Sequence, residues 1–426
     1  MKKLFVLLLS AIALLAIIGC SQPVSAAEIK SDKPRNTAPA VSQTDTQTLA
    51  DSNAALALAL YQQINKQPGN LFYSPYSISE ALAMTYGGAN GTTDSQMAAA
   101  LQFTLSQQQL HPAFNSIDIA LASRGQGAQG IDGKGFKLNV VNAIWGQKGF
   151  NFASAYLDLL AQNYGAGLRI VDFKNATEES RKTINQWVSD QTAAKIQDLL
   201  PQGSLTTLTR LVLTNAIYFN AAWATQFEKS MTQNAQFTLL DGTTVTVPMM
   251  QQKDKFYKYV EGTNYKALEM PYSGNQLSMD ILLPNSGQFN TFEAALNSQQ
   301  INSIINAMQS APVDLTMPKF KIESELGLKK SLAALGMKDA FDPSLADFSG
   351  MDGQKDLFIT DVLHKSYVTV DEAGTEAAAA TGVIVGTTAM PTNIKEFNMN
   401  RPFIFLIRDN PTGSILFLGR VVDPSK

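Results

Sequence analysis

Residues 370–388 of this chain read VDEAGTEAAAATGVIVGTT. By composition alone, this stretch is an exposed, alanine-rich loop or a short helix. Its second half favours a strand, because Val, Ile and Thr are good strand formers and Gly opposes a helix. The stretch can therefore be presented as a loop and can also be placed in a β-sheet.

The size of the side chains along this stretch supports insertion into a sheet. Alternate residues of a strand point to opposite faces. One face would carry Thr375, Ala377, Ala379, Thr381, Val383 and Val385. The other face would carry Glu376, Ala378, Ala380, Gly382, Ile384 and Gly386, small enough to lie beneath a covering element. The loop could therefore enter a sheet without leaving a buried charge.

Composition and charge exclude several classes of function. The chain has 426 residues, a net charge of -3 and a pI near 5.6. It therefore lacks the broad basic field that would attract nucleic acid or an anionic membrane surface. A single Cys and two His cannot form a Cys/His zinc site or an internal disulfide. We expect no metal, no cofactor and no nucleic-acid partner.

Residues 1–20 are predicted to be an export signal. An apolar run from Leu4 to Ile18 follows a charged start and is too short to span a bilayer comfortably. The run ends in IIGC at residues 17–20, which resembles the lipobox of bacterial lipoproteins, in which the Cys is lipidated. Cleavage after Ala26 is the alternative. We expect a lipid anchor on Cys20 at the cell envelope, or an extracellular or periplasmic protein if the second site is used.

Two regions follow the signal. Residues 21–48 have almost no large apolar side chains, so burial cannot offset the entropy lost on ordering, and they are predicted to be a flexible tether. Residues 49–426 begin with helical periodicity and end with β-type segments, the order typical of an α+β domain. Within them, residues 325–335 are predicted to be a helix.

Several segments, in order and spacing, resemble the serpin family. They are NLFYSPYSIS at 70–79, INQWV at 184–188, TNAIYF at 214–219, MPKF at 317–320 and RPFIFLI at 401–407. Residues 370–381 look like the hinge of an inhibitory serpin's reactive loop. The resemblance covers roughly residues 49–424 and implies one domain. That domain would have helices packed around a large central mixed β-sheet, further sheets and an exposed reactive loop.

The resemblance also implies a function, that of a suicide inhibitor of serine proteases and not of an enzyme. The protease would attack the loop and form an acyl-enzyme, and the cut segment would enter the central sheet and carry the protease to the far pole. The hinge would comprise Glu372, Gly374, Thr375, Glu376, Ala377, Ala378, Ala379 and Ala380. The expected partner is a serine protease in a covalent complex, with a cysteine protease as the alternative, and the inhibitor is expected to be a monomer.

The family's spacing from the hinge glycine places the cleaved bond at Thr388–Ala389. The neighbouring bonds Thr387–Thr388 and Ala389–Met390 are the next candidates, whereas Met390 is a poor site because Pro391 follows the bond. A small β-branched residue before the bond suits the pocket of an elastase-like or subtilisin-like protease. It should exclude trypsin-like proteases, which need Lys or Arg there.

The resemblance implies two further clusters. The gate, which would control opening of the central sheet, comprises Ser74, Ser77, Asn215 and His364. The entrance, where the loop would first insert, comprises Trp223, Lys319 and Glu372. In serpins of this type the gate histidine bonds the asparagine, and the entrance lysine pairs with the glutamate. Taken by themselves these residues would be a core histidine, a core or rim tryptophan and solvated surface charges.

Two other classes of function compete with this interpretation. A serine hydrolase would have only His111 or His364 as its base, and the chain has no Gly-x-Ser-x-Gly motif. A non-inhibitory serpin, acting as a carrier or storage protein, usually has bulky, charged or Pro residues at inward hinge positions, and this hinge has none.

Residues 105–136 carry only Arg124 and Lys134 as basic side chains, so no heparin-like polyanion is expected to bind.

Overall fold

The structure is a computed structural model that describes residues 26–124, 137–375 and 393–426. Its α-helices are α1 (Gln43–Ile64), α2 (Pro75–Tyr86), α3 (Gly91–Ala100), α4 (Gln107–Ser123), α5 (Ser154–Tyr164), α6 (Thr177–Gln191), α7 (Phe289–Ala295), α8 (Ser298–Ala307), α9 (Lys329–Ala334) and α10 (Ser349–Asp352). Within the described ranges, no helix combines the length and apolar character needed to cross a membrane.

The strands form two large sheets. They are β1 (Ala27–Ile29), β2 (Leu71–Tyr73), β3 (Lys137–Gln147), β4 (Leu168–Val171), β5 (Leu211–Ala222), β6 (Gln233–Thr238), β7 (Thr244–Glu261), β8 (Tyr265–Pro271), β9 (Leu277–Pro284), β10 (Gln309–Pro318), β11 (Phe320–Gly327), β12 (Ile359–Val370), β13 (Gly374–Thr375), β14 (Lys395–Asn398), β15 (Phe403–Asp409) and β16 (Ile415–Val421). The central sheet has the order β1-β4-β3-β5-β13-β12-β11. The second sheet has the order β14-β10-β7-β8-β9-β15-β16-β2, and β6 pairs with β7.

Both faces of strand β5 are covered. Ile217, Phe219 and Ala221 belong to the main core between the central sheet, the second sheet and the helices. Val212 and Ala216 point the other way, into a second core that includes Ile184 and Val188 of α6, among others. A strand inserted beside residues 212–216 would therefore meet packed protein on both of its faces, whereas Tyr218 and Asn220, nearer the hinge, are only half-buried.

The prediction of a helix over 325–335 is only partly right. Phe320–Gly327 is strand β11, in which buried and exposed residues alternate strictly, and the helix begins only at Lys329. The exposed glutamates Glu323 and Glu325 of β11 bridge to Lys365 on the neighbouring strand, at 3.1 and 3.7 Å. The cross-strand ion pairs and the two-residue period outweigh the helical propensity of these residues.

The segment 26–42, here called the N-terminal strap, differs from the flexible tether predicted for it. Ala27–Ile29 pair antiparallel with β4 and add an edge strand to the central sheet. Farther on, the Lys33 ammonium lies 2.7 Å from the Asp158 carboxylate. The composition of this segment did not predict the docking. Backbone pairing and polar contacts hold the strap, and such contacts leave no apolar periodicity in the sequence.

One residue of the strap reaches an acidic cluster beside the core. The Arg35 guanidinium donates to the Asn115 side-chain oxygen at 2.8 Å and to the Asp118 carboxylate at 2.5 Å. Burial raises the pKa of the nearby Glu80 carboxyl to about 8, the Asp118 carboxylate raises it as well, and Arg35 lowers it. The strap thus brings a cation to two acids that would otherwise have to share a poorly solvated site.

Candidate functional site

The start of the hinge lies inside the central sheet. Over most of their length β5 and β12 pair directly and in parallel, from Leu211 opposite Ile359 to Tyr218 opposite Tyr367. Beyond this point β13 separates them. Its residues pair antiparallel with Ala221 and Ala222 of β5 on one side and with Val370 of β12 on the other. Thr375 therefore already lies between β5 and β12, paired with both strands.

Thr375 and Gly374 have the properties that this position demands. The Thr375 side chain is fully buried, and its hydroxyl is 2.8 Å from the hydroxyl of Tyr272. Gly374 has a φ of +156°, and a Cβ at this residue would lie 2.2 Å from the carbonyl oxygen of Ala221. Any residue other than glycine would therefore force β13 away from β5.

The entrance residues surround this point. Trp223 stacks on Tyr272 with ring centroids 4.6 Å apart. Its indole N–H donates to the Asp371 carbonyl and its backbone N–H to the Ala373 carbonyl, both at 3.0 Å. The tryptophan therefore holds the backbone of the hinge on the end of β5.

Glu372 is fixed by an ion pair and a hydroxyl. The Lys319 ammonium is 2.8 Å from one carboxylate oxygen, and the Thr232 hydroxyl donates to the other at 2.8 Å. Burial acts to raise the pKa of Glu372, but the hydrogen bonds from Lys319 and Thr232 outweigh it and hold the pKa below its usual range. The structure thus brings the three entrance residues together, and it adds Thr232 and Tyr272, which sequence reasoning missed.

The gate residues form one buried hydrogen-bonded cluster. The Nδ1–H group of His364 donates to the side-chain oxygen of Asn215, and Nε2 accepts the backbone N–H of Ser74 at 3.2 Å. The Asn215 amide donates in turn to the Ser77 hydroxyl and to the side-chain oxygen of Asn142. All four predicted gate residues therefore meet, and Asn142 is a fifth member.

The position of the gate explains what it can control. His364 lies on β12, Asn215 on β5 and Asn142 on β3, while Ser77 belongs to helix α2 beneath them. His364 and Asn215 are directly opposite each other in the pair of strands that must part during an insertion. Opening β5 from β12 would break the bond between these two side chains.

Asn142 could have been suspected from its surroundings. It is a polar residue within the apolar strand segment Val140–Ile144, and its amide also donates to Glu80 at 2.8 Å. A lone amide among β-branched residues often marks a buried hydrogen-bonding network. The sequence contained that signal but not the identity of the partner.

His364 is held as a neutral imidazole. Burial lowers the pKa of His364 to about 3. With one nitrogen donating to Asn215 and the other accepting from Ser74, the ring has a single suitable tautomer. Protonation of Nε2 would place an N–H group opposite the Ser74 N–H, where an acceptor is needed. The gate therefore requires the uncharged ring.

Among the described residues, neither histidine is arranged as a general base for a serine. Both nitrogens of His364 are engaged within the gate. His111 Nδ1 is 2.7 Å from the Tyr164 hydroxyl, and Nε2 has no hydrogen-bond partner among the described residues. Those residues also contain no group of three or more His, Cys, Asp and Glu able to hold a metal ion.

Several predicted site residues lie outside the described residues. They are Cys20, Glu376, Ala377, Ala378, Ala379, Ala380, Thr388 and Ala389.

Comparison with known proteins identifies relatives of the whole domain. A family model described as "Serpin (serine protease inhibitor)" matches residues 51–424. The mouse leukocyte elastase inhibitor A is 42% identical over 386 residues, which cover 88% of this chain and 99% of the relative. The human leukocyte elastase inhibitor is 40% identical over 387 residues, with the same coverage.

A solved structure agrees with these sequence relatives. The native state of the thermophilic serpin tengpin superposes with a TM-score of 0.81 and 30% identity, covering 94% of this chain and all of the other. The likeness therefore extends over both sheets and the helices around them.

Proposed function

The chain belongs to the serpin family, and from this premise we propose that it traps elastase-like or subtilisin-like serine proteases after they cleave its reactive loop. The observation that carries the proposal is the position of β13, between β5 and β12 and antiparallel to both. A loop cut farther along could continue in the same register without any new rearrangement at its start.

The lengths of the strands support this continuation. Extending the register of Thr375 opposite Ala221 brings Val385 opposite Leu211, the first residue of β5. On the other side, extending the register of Thr375 opposite Val370 brings Gly386 opposite Ile359, the first residue of β12. The sheet would therefore be filled up to the residue just before Thr387, and a bond cut after Thr388 would lie just beyond its edge.

The energy of insertion is sufficient to distort a protease. The inserted strand would replace one parallel ladder by two antiparallel ladders. If each of its residues gains about 1 kcal/mol, the total is on the order of 10 kcal/mol, which is comparable with the stability of a whole protease domain. At about 3.3 Å per residue the strand spans roughly 40 Å, so an attached acyl-enzyme would be carried across the sheet.

Incubation with an elastase and with subtilisin should give a complex that survives boiling in detergent. The released C-terminal peptide should begin at Ala389 by mass spectrometry. The matched variant Thr388→Arg should lose inhibition of elastase and gain inhibition of trypsin, because only the residue before the cut has changed. Cleavage without a covalent complex would instead favour a non-inhibitory serpin, and trypsin inhibition by the wild type would contradict the specificity.

We also propose that Cys20 carries lipid and that the protein stands on the cell envelope with its reactive loop turned away from the membrane. Ala27 pairs with Ile170, which pairs with Gly146 of β3, and Gly146 pairs with Leu211 at the start of β5. The hinge instead pairs with Ala222, the last residue of β5. The strap therefore starts at the pole opposite the hinge. From Cys20 to Ala27 the chain spans at most about 25 Å, so the start of the strap would lie within that distance of the membrane.

Membrane fractionation tests the anchor. The wild-type protein should sediment with membranes and enter the detergent phase, and Cys20→Ala should abolish lipoprotein maturation. Two acyl chains hold a protein far more firmly than one, so partial release is not expected. A soluble mature protein that begins at Ala27 would show that cleavage after Ala26 is used instead.

A further inference from the structure

We propose that a cleft where the ends of β6 and β9 meet the start of β15 binds a small carboxylate with a short apolar tail, and that Arg401 is the group that binds the anion. The cleft has a volume of about 80 Å³ and is lined by the end of β6, by the turn between β9 and α7, and by Arg401 and Pro402. Arg401 is the first residue of the RPFIFLI segment, and neither the gate nor the entrance uses it. The site does not depend on the trapping of proteases.

Arg401 is fixed at one end and free at the other. Its Nε donates to the carbonyl oxygen of Pro284 at 2.8 Å. Its Nη1 donates to the side-chain oxygen of Asn400 at 3.2 Å and to the carbonyl oxygen of Asn398 at 3.4 Å. Within the described part of the chain, the third nitrogen, Nη2, has no hydrogen-bond partner. The protein therefore holds the guanidinium in one orientation and leaves two N–H groups for a ligand.

The charge of this guanidinium is not balanced by a carboxylate. Neither Asp nor Glu is among the residues that line the cleft, and burial lowers the pKa of Arg401. Two other arginines of the second sheet differ in this respect. Arg408 and Arg420 each lie 2.8 Å from a buried carboxylate, that of Asp280 and that of Glu293. A partly desolvated cation without a counter-ion is unfavourable, so an anion that enters the cleft gains a strong, charge-assisted hydrogen bond.

The other walls of the cleft define the rest of the ligand. Leu240 is 50% exposed at the cleft, and Phe289 and Pro402 add further apolar surface. A volume of about 80 Å³ accommodates about six water-sized groups, at about 10–15 Å³ each. Sulfate or phosphate has no apolar atoms to cover these side chains. A short-chain aliphatic carboxylate matches both the guanidinium and the apolar walls.

Butyrate and butyramide provide the test, because they have the same size and differ in charge. Each is titrated into the wild-type protein at constant ionic strength, and binding is followed by ligand-observed NMR. Butyrate should bind saturably with a Kd on the order of 1–10 mM, as expected for a ligand with about six non-hydrogen atoms. Butyramide should bind at least about tenfold more weakly, because it cannot form the charge-assisted bond.

A pair of matched variants locates the binding. Leu240→Asp adds a carboxylate at the cleft without removing any hydrogen bond of Arg401, and it should weaken butyrate binding about tenfold by charge repulsion. The control Leu345→Asp makes the same change at a leucine that is 58% exposed and does not line the cleft, and binding should stay within about twofold of the wild type. Arg401→Gln should abolish binding but also loses the bond to Pro284, so the Leu240 variant is the decisive one.

Three results would overturn the site. The first is no saturable binding of butyrate at about ten times the expected Kd. The second is equal binding of butyrate and butyramide, because the guanidinium would then have no part in it. The third is butyrate binding that Leu240→Asp leaves unchanged, because the anion would then lie elsewhere on the protein. None of these measurements uses a protease, so failure of the proposed function would leave the test intact.

Discussion

Thr375→Arg is expected to turn the inhibitor into a substrate that is cut at the same bond by the same protease but releases active enzyme. The Thr375 side chain is fully buried, with the Tyr272 hydroxyl as its hydrogen-bond partner. An arginine in its place would bury a guanidinium without a carboxylate partner, at a cost of several kcal/mol. Thr375 is already part of the sheet before cleavage, so the cost of burying the guanidinium applies to the uncleaved chain as well. The variant should therefore also lose the pairing of β13 with its neighbours.

The outcome depends on a race between loop insertion and hydrolysis of the acyl-enzyme. Each 1.4 kcal/mol added to the insertion barrier slows insertion about tenfold, so a penalty of about 3 kcal/mol slows it more than a hundredfold. The number of inhibitor molecules consumed per protease, measured by titration, should rise from near one to more than ten.

The matched control for this variant is Glu376→Arg. The next residue along a strand points to the opposite face, so this arginine keeps a charge where the chain already has one. It should remain largely inhibitory. Trapping by Thr375→Arg at the wild-type stoichiometry would show that insertion does not begin at this hinge.

Acid is expected to open the gate. The unfolded imidazole has a pKa near 6.5, whereas the pKa of His364 in the folded chain is about 3. Between these values the unfolded chain binds a proton that the folded chain does not. The contribution of His364 to stability is therefore present above pH 6.5 and is lost as the pH falls toward 3. At pH 4.5 this loss is about 3 kcal/mol.

Other buried groups respond to the same change, so variants are needed to isolate the gate. Burial lowers the pKa of His111 to about 4, and this residue loses stability over a similar range. Burial raises the pKa of Glu80 to about 8, so its contribution has the opposite sign: it is present below pH 4.5 and is lost as the pH rises through 8. Only His364 lies between the strands that must part.

The measurement is residual inhibition at pH 7.5 after incubation at pH 4.5. At pH 4.5 the wild type should lose its inhibitory activity up to about a hundredfold faster than at pH 7.5. This upper value applies if the whole loss of stability lowers the barrier to gate opening. His364→Gln, whose amide can donate to Asn215 and accept from Ser74, should lose much of this acceleration. His111→Gln removes a comparable titration outside the gate and should behave as the wild type does.

A direct titration keeps this prediction testable if His364→Gln is inactive from the start. The chain has only two histidines, so the NMR signal that remains in His111→Gln belongs to His364. Its pKa should lie below 4. A value above 5.5 would contradict a gate that depends on a neutral, buried ring.

The sequence by itself determined the character of the hinge and the class of the fold. Uncharged side chains occupy every second position from Thr375 to Val385, and that pattern depends only on the identity of consecutive residues. The order of helical and strand segments indicated an α+β domain for the same reason. Resemblance to the serpin family then singled out Asn215, His364, Lys319 and Glu372, which the structure brings together in two clusters.

Only the tertiary structure decided which distant residues meet. The strap was predicted to be a tether because its composition offers no apolar burial. In the structure its first residues pair with β4 through the backbone, and its Arg35 forms an ion pair with Asp118. Asn142 joined the gate and Thr375 was found already inserted, both through strand register. Composition and periodicity report how much of a segment is buried. Its partners across the sheet depend on long-range pairing, which no local pattern encodes.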